Sequence, residues 1–148
     1  HPFSGLDHYL ESLLRFQGWA NGARLILNGH DDVITDLPAQ IASTKNNILR
    51  RMRKAIRVLN EPLTIEQVCN AVYGDTSGYN QMLVIEKTGA YMEYLYEHGM
   101  IKIVNPTEVE QGQPAQYQIL KEEQVMFDEL GQKLGLHPNR KERADVLI

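Results

Sequence analysis

Apolar residues recur at helical spacing along most of this chain. Leu6, Tyr9, Leu10, Leu13 and Leu14 predict a helix from about Leu6 to Gln17, with Ser4 as N-cap and Asp7 at the third helical position. Gly18 and the Asn21-Gly22 pair close it. Arg24-Leu25-Ile26-Leu27 reads as a short buried strand, Asn28 to Asp32 as a tight polar loop, and Val33-Ile34 as a return to extended backbone. Pro38 fits the first turn of a second helix, where a missing N–H costs nothing. There Ile41, Ile48, Met52, Ala55, Ile56 and Leu59 form an apolar stripe, and Arg50, Arg51, Arg53, Lys54 and Arg57 fall on the other side. Asn60-Glu61-Pro62 ends that helix.

A second unit starts at Leu63. Thr64 and Gln67 have the spacing of a capping box, and Ile65, Val68, Cys69 and Val72 share one helical face. After a Gly74–Gly78 loop, Val84, Ile85, Thr88, Tyr91, Met92 and Leu95 predict a longer helix that stops at His98-Gly99, with Gly99 as a left-handed cap. Ile101 to Val104 and Ala115 to Leu120 read as two strands around a polar Asn105–Pro114 connection. Helix, helix, then β-hairpin is the order of a winged helix. One more helix, marked by Met126, Leu130 and Leu134, is expected before a charged and partly ordered tail. The expected fold class is mainly α with a small β-hairpin, α+β.

Composition narrows the class. The 148 residues, 43% apolar and 23% charged, suit a soluble protein of one ordinary domain or two very small ones. No apolar run approaches the roughly 20 residues that span a bilayer, and no basic-then-apolar leader opens the sequence. Cys69 is the one cysteine, so neither an internal disulfide nor a cysteine zinc knuckle forms, and a reducing, cytoplasmic setting is expected. The formal net charge of -4 argues against a whole-molecule footprint for nucleic acid. None of the five histidines, His1, His8, His30, His98 and His137, pairs with another at metal-ligand spacing.

His30 stands out among them. It follows a short apolar segment and Gly29, a place where backbone can turn sharply and present an imidazole. Taken alone it is an ordinary loop histidine. Its surroundings, however, resemble the C-terminal end of the metallo-β-lactamase fold hydrolases: Tyr9-Leu10-Glu11-Ser12-Leu13, then Leu25-Ile26-Leu27-Asn28-Gly29-His30, then Val33-Ile34 and Asp36. The members of that family with a winged-helix appendage continue with a stretch similar to Glu61-Pro62-Leu63-Thr64-Ile65-Glu66-Gln67-Val68 through Val72-Tyr73-Gly74, and then to Tyr94-Leu95-Tyr96-Glu97-His98-Gly99-Met100-Ile101. The resemblance covers roughly Leu6 to Leu120. It implies that His30 is the last ligand of a two-metal site that takes zinc or another divalent metal, with Asp31 or Asp32 as an acceptor orienting its ring or as a solvated loop acid.

The family's main ligand motif, H-x-H-x-D-H, is absent, and the chain opens with His1 rather than Met. The resemblance therefore implies the C-terminal part of a longer hydrolase. Residues 1–38 would be left over from its αββα sandwich, 39–60 the long connecting helix, 61–120 the winged helix, and 121–148 a C-terminal helix and tail. The parent's metal-bound hydroxide would attack an ester, thioester, lactam or phosphodiester. The Lys45–Asn47 region lacks the His-Arg or His-His pair that the extended family often carries, which leaves the subgroup open. One imidazole does not retain a catalytic metal, so no cofactor is expected in this chain alone, and it is expected to be inactive.

The basic helix has two readings. Arg50, Arg51, Arg53, Lys54 and Arg57 either contact an anionic ligand such as phosphate or an acyl-coenzyme A, or form a solvated face that pairs with acids elsewhere. A free-standing winged-helix module, binding DNA or protein, is the alternative. Against DNA, the candidate recognition helix carries Glu86, Glu93 and Glu97 against Lys87, and the wing carries Glu108 and Glu110 with no base. Tyr91, Tyr94 and Tyr96 span more than one helix face, so at least one is expected at the surface, where tyrosine favours protein contacts. The partners expected are the hydrolase domain and a second copy of the chain, with no membrane.

Overall fold

The computed structural model describes residues 5–19, 22, 25–27, 29 and 33–136. Three helices come before or within a small helix-and-sheet unit: α1 (Leu6–Trp19), α2 (Leu37–Val58) and α3 (Ile65–Tyr73). Strand β1 (Leu63–Thr64) separates the last two, and α4 (Gly78–Glu97), β2 (Ile101–Ile103), α5 (Pro106–Glu110), β3 (Gln116–Ile119) and α6 (Glu123–Lys133) follow. The fold is mainly α with a small antiparallel sheet, as the periodicity predicts.

Each helix end has a local cause. Asp36 caps α2 by accepting from the Ala39 N–H at 3.0 Å, and Pro38 occupies the first turn. The capping box of α3 is complete: Gln67 N–H donates to Thr64 Oγ1 at 3.3 Å and Thr64 N–H to Gln67 Oε1 at 2.8 Å. At the end of α4, Gly99 takes φ +65°, Gly99 N–H donates to Tyr96 O and Met100 N–H to Leu95 O. That pair of bonds satisfies carbonyls the helix would otherwise orphan. Gly135 closes α6 in the same way, with Leu136 N–H on Gly131 O.

The sheet runs β1-β3-β2, all antiparallel, with Leu63 opposite Tyr117 and Ile101 opposite Ile119. Its core side is shared by Met52 and Ile56 of the second helix and its C-cap Leu59, Met92 and Leu95 of the fourth, Met100 and Ile101, and Met126 and Leu130 of the sixth, all essentially without solvent contact. Leu6, Leu10 and Leu13 of α1 join the same core. The stripe that predicted α2 is the stripe it buries.

Three sequence expectations are corrected. The first helix passes through Gly18 to Trp19, because Gly18 keeps helical rather than left-handed backbone. Leu25-Ile26-Leu27 is not a buried strand: Ile26 and Ile34 make one isolated antiparallel bridge, and Leu25 and Leu27 face solvent. No neighbouring strand among the described residues is there to cover them. The hairpin is a three-stranded sheet whose third strand, β1, is two residues long and too short to leave a periodic signature. Its polar connection holds the short helix α5, nucleated by Pro106. Asn105 braces that connection, donating to Pro114 O at 3.0 Å and accepting from Gln116 N–H at 2.7 Å. Ser4, Arg24 and residues 137–148 lie outside the described residues.

Candidate functional site

The basic face of α2 divides by helical angle. Arg50 and Lys54 are exposed, and Arg50 donates to Asn47 Oδ1 at 3.1 Å one turn back. Arg51 turns towards α3, where its guanidinium donates to the Tyr73 hydroxyl at 3.2 Å and sits 5.4 Å from the centre of that ring. Arg53 and Arg57 turn towards α6, at 5.2 and 5.6 Å from the Phe127 ring. Arg57 also pairs with Glu123 at 3.2 Å. Three of the five bases thus clamp α2 to its neighbours through ring faces, a role for which the flat, stackable guanidinium is better suited than an ammonium. Lys45, at the start of this basic stretch, is buried between Ile41 and Ile48 on the apolar side.

Beside Arg51 a cleft of about 820 Å³ opens between α1, α2 and α4. Helical spacing builds each wall. Thr44, Asn47, Ile48 and Arg51 follow one another at i, i+3, i+4 and i+7 on α2. Lys87 and Tyr91 stand one turn apart on α4, and His8 and Ser12 do so on α1. Two permanent cations face this space, and among the described residues no carboxylate side chain lines it. Tyr91 is buried, and burial, followed by the nearby Tyr73, raises the pKa of its phenol. Burial works to lower the pKa of Arg51, but the Tyr73 and Tyr91 phenols outweigh it and leave that pKa raised, so the guanidinium stays charged.

A second polar cluster joins three helices. His98 Nε2 lies 3.2 Å from Asp7 Oδ1, Lys133 Nζ lies 3.3 Å from His98 Nδ1, and the Tyr94 ring packs on the imidazole at 4.2 Å between centres. Burial, with the Asp7 charge, pushes the Tyr94 phenol up to about 12. In the sequence His98 marks a helix end and has no histidine at metal-ligand spacing. Its partners, 91 and 35 positions away, leave no local signal.

His30, Asp31 and Asp32 lie outside the described residues. Among the described residues there is no group of three His, Cys, Asp or Glu able to hold a metal ion. Nor is any described helix long and apolar enough to cross a membrane. Cys69 is buried. Of the four tyrosines on α4, Tyr91 and Tyr94 are buried and Tyr79 and Tyr96 are exposed. Glu86 and Glu97 are exposed along the same helix, as are Glu108 and Glu110 on α5.

A different kind of surface lies on α1 and the bridged segment. Tyr9, Leu14, Phe16, Trp19, Leu25, Leu27 and Val33 are each between 46% and 77% exposed. Phe16 and Trp19 meet edge to face at 5.5 Å.

No family model matches this sequence, and no curated protein does. The fold is similar to the crystal structure of a metallo-beta-lactamase family protein from Thermus thermophilus, with a TM-score of 0.63 and 24% sequence identity. The likeness covers 77% of this chain and 33% of that one, so this chain spans about a third of the solved protein.

Proposed function

We propose that this chain is the C-terminal part of a metal-dependent hydrolase of the metallo-β-lactamase fold, ending in a winged-helix appendage. The observation that carries this reading is the fold likeness to a third of such a protein, over three quarters of the present chain. Two features support it. The apolar surface of α1 and the bridged segment, Trp19 and Leu27 above all, is what a helix and strand look like when one face has lost its cover. The order α3, α4, β2, β3, with β1 closing the sheet, is that of a winged helix.

On this reading residues 1–38 belong to the sandwich and α2 carries the chain out to the appendage. His30 is then the contribution of this stretch to the metal site, with Asp31 or Asp32 beside it. A catalytic zinc needs three protein ligands and an open position, and one imidazole does not meet that need. No catalytic step is therefore assigned to this chain, and alone it is inactive. The whole enzyme hydrolyses an ester, thioester, lactam or phosphodiester with a metal-activated hydroxide. The appendage positions α1 and shapes the entrance to that site or an interface between two copies. The single buried thiol suits a reducing, cytoplasmic setting.

Sequencing the coding region upstream of His1 tests this. An H-x-H-x-D-H motif after an apolar strand is the expected result. A start codon within a few codons of His1 overturns the reading and leaves a free-standing winged-helix module. For such a module the exposed Tyr79, Met82 and Tyr96 of α4 favour a protein partner over DNA.

A further inference from the structure

We propose that the cleft between α1, α2 and α4 binds a small organic phosphate monoester, held by Arg51 and Lys87. The inference does not rest on the hydrolase reading. Charge is the first argument. The chain carries a formal net charge of -4, yet among the described residues this cleft is lined by two permanent cations and no carboxylate side chain. Lys87 has no ion-pair partner among the described residues. A cavity built to bury apolar surface alone would not place both cations on its walls.

The donors are the second argument. The Ser12 hydroxyl donates to His8 O at 2.8 Å and the Thr44 hydroxyl to Gln40 O at 2.9 Å, so each spends its proton on its own helix. Asn47 turns its oxygen to Arg50, which leaves its amide N–H groups for other partners. The strong donors left for the cleft are Arg51 and Lys87. Arg51 is already fixed by the Tyr73 hydroxyl and ring, so little side-chain freedom remains to be lost when it meets a ligand. Two cations suit a doubly charged phosphate better than a single carboxylate. Leu6, Tyr9, Ile48 and Tyr91 supply an apolar wall for the organic group. The volume of about 820 Å³ falls within the roughly 300–1,000 Å³ of small-molecule sites and is far too small for a folded partner.

The test is titration of the isotope-labelled 148-residue chain with phenyl phosphate, followed by nuclear magnetic resonance. At about pH 7.5 the monoester is mostly dianionic, and about 0.15 M salt screens loose surface attraction. Saturable shifts of the Ile48, Arg51, Lys87 and Tyr91 signals are expected. Inorganic phosphate and phenol, each carrying half of the ligand, should bind at least about ten-fold more weakly. Arg51→Met and Lys87→Met should each weaken phenyl phosphate binding about ten-fold or more, and Lys102→Met on β2 should leave it unchanged. Because Arg51 also braces α3, Lys87→Met, at an exposed position, is the variant that decides if Arg51→Met unfolds. Binding that Lys87→Met leaves intact, or shifts scattered over the surface, would overturn the site. Benzoate binding as tightly as phenyl phosphate would overturn the phosphate assignment.

Discussion

His98 Nε2 lies 3.2 Å from Asp7 Oδ1, joining the end of α4 to the first turn of α1. A neutral imidazole protonated at Nε2 satisfies both neighbours, donating to the Asp7 carboxylate and accepting from Lys133 at Nδ1. The His98 and Asp7 side chains are 26% and 49% exposed, so water screens the pair. A double-mutant cycle of Asp7→Ala and His98→Ala should give a coupling on the order of 0.5–1 kcal/mol in urea unfolding. A coupling of zero would mean that Leu6, Leu10 and Leu13 alone hold α1 in place.

Tyr94 makes the same cluster sensitive to alkali. Its phenol is raised from 10.0 to about 12, by burial and then by the Asp7 charge. The folded state therefore keeps the Tyr94 proton after the unfolded chain has lost its own. The stability this gives is complete below about pH 10 and drains away as pH rises towards about 12, by something on the order of 2–3 kcal/mol. Tyr91 and Tyr117, both raised chiefly by burial, add to the loss in the same direction. Tyr94→Phe should flatten the alkaline limb of a stability-against-pH curve, and an unchanged slope would contradict the assignment.

Two glycines should respond in opposite directions. Gly99 has φ +65° with open space where a Cβ would go, so Gly99→Ala meets only backbone strain. The expected loss is roughly 1–2 kcal/mol. Gly18 has equally open space but ordinary helical backbone inside α1. Gly18→Ala should stabilise the chain by about 0.5–1 kcal/mol through a less flexible unfolded state. Thermal melts of the two variants, moving apart from the parent, check both signs at once.

Much of this was legible in the sequence, and what was not has a physical reason. The apolar period of Ile41 to Leu59 located α2 because every member of that stripe is in fact buried. Thr64 with Gln67, and Gly99, were readable because caps are made by neighbours in sequence. The bridged segment misled. Leu25 and Leu27 have strand composition, but a strand is defined by its partner, and composition does not reveal whether one is present. The cleft was half legible. Arg51 was a candidate from its charge, but Lys87 and Tyr91 come from a helix that only tertiary packing brings opposite. The division of the bases into exposed and ring-stacked ones needed Tyr73 and Phe127, each distant in sequence from the base it meets.

Nucleic acid should bind weakly if at all. Glu86 and Glu97 are exposed on α4, and Glu108 and Glu110 on α5, against a single base, Lys87, on those two helices. Duplex DNA gains most of its non-specific affinity from phosphate neutralisation. A mobility-shift titration at about 0.05 M salt should show no retained complex below micromolar protein, on the order of the usual non-specific limit. A tight, salt-sensitive complex would instead favour the free-standing module.

Helix α1 has two working faces. Leu10 and Leu13 are fastened into the common core, while Leu14, Phe16 and Trp19 look outward. The same helix is thus an anchor on one side and an apolar face open to solvent on the other. Damage to the inward face lowers the free energy of unfolding and leaves the behaviour of the folded chain alone. Polar replacement of the outward face should leave unfolding nearly untouched, because Leu14, Phe16 and Trp19 already meet solvent in the folded chain. The two faces can be tuned separately, within a single stretch of fourteen residues.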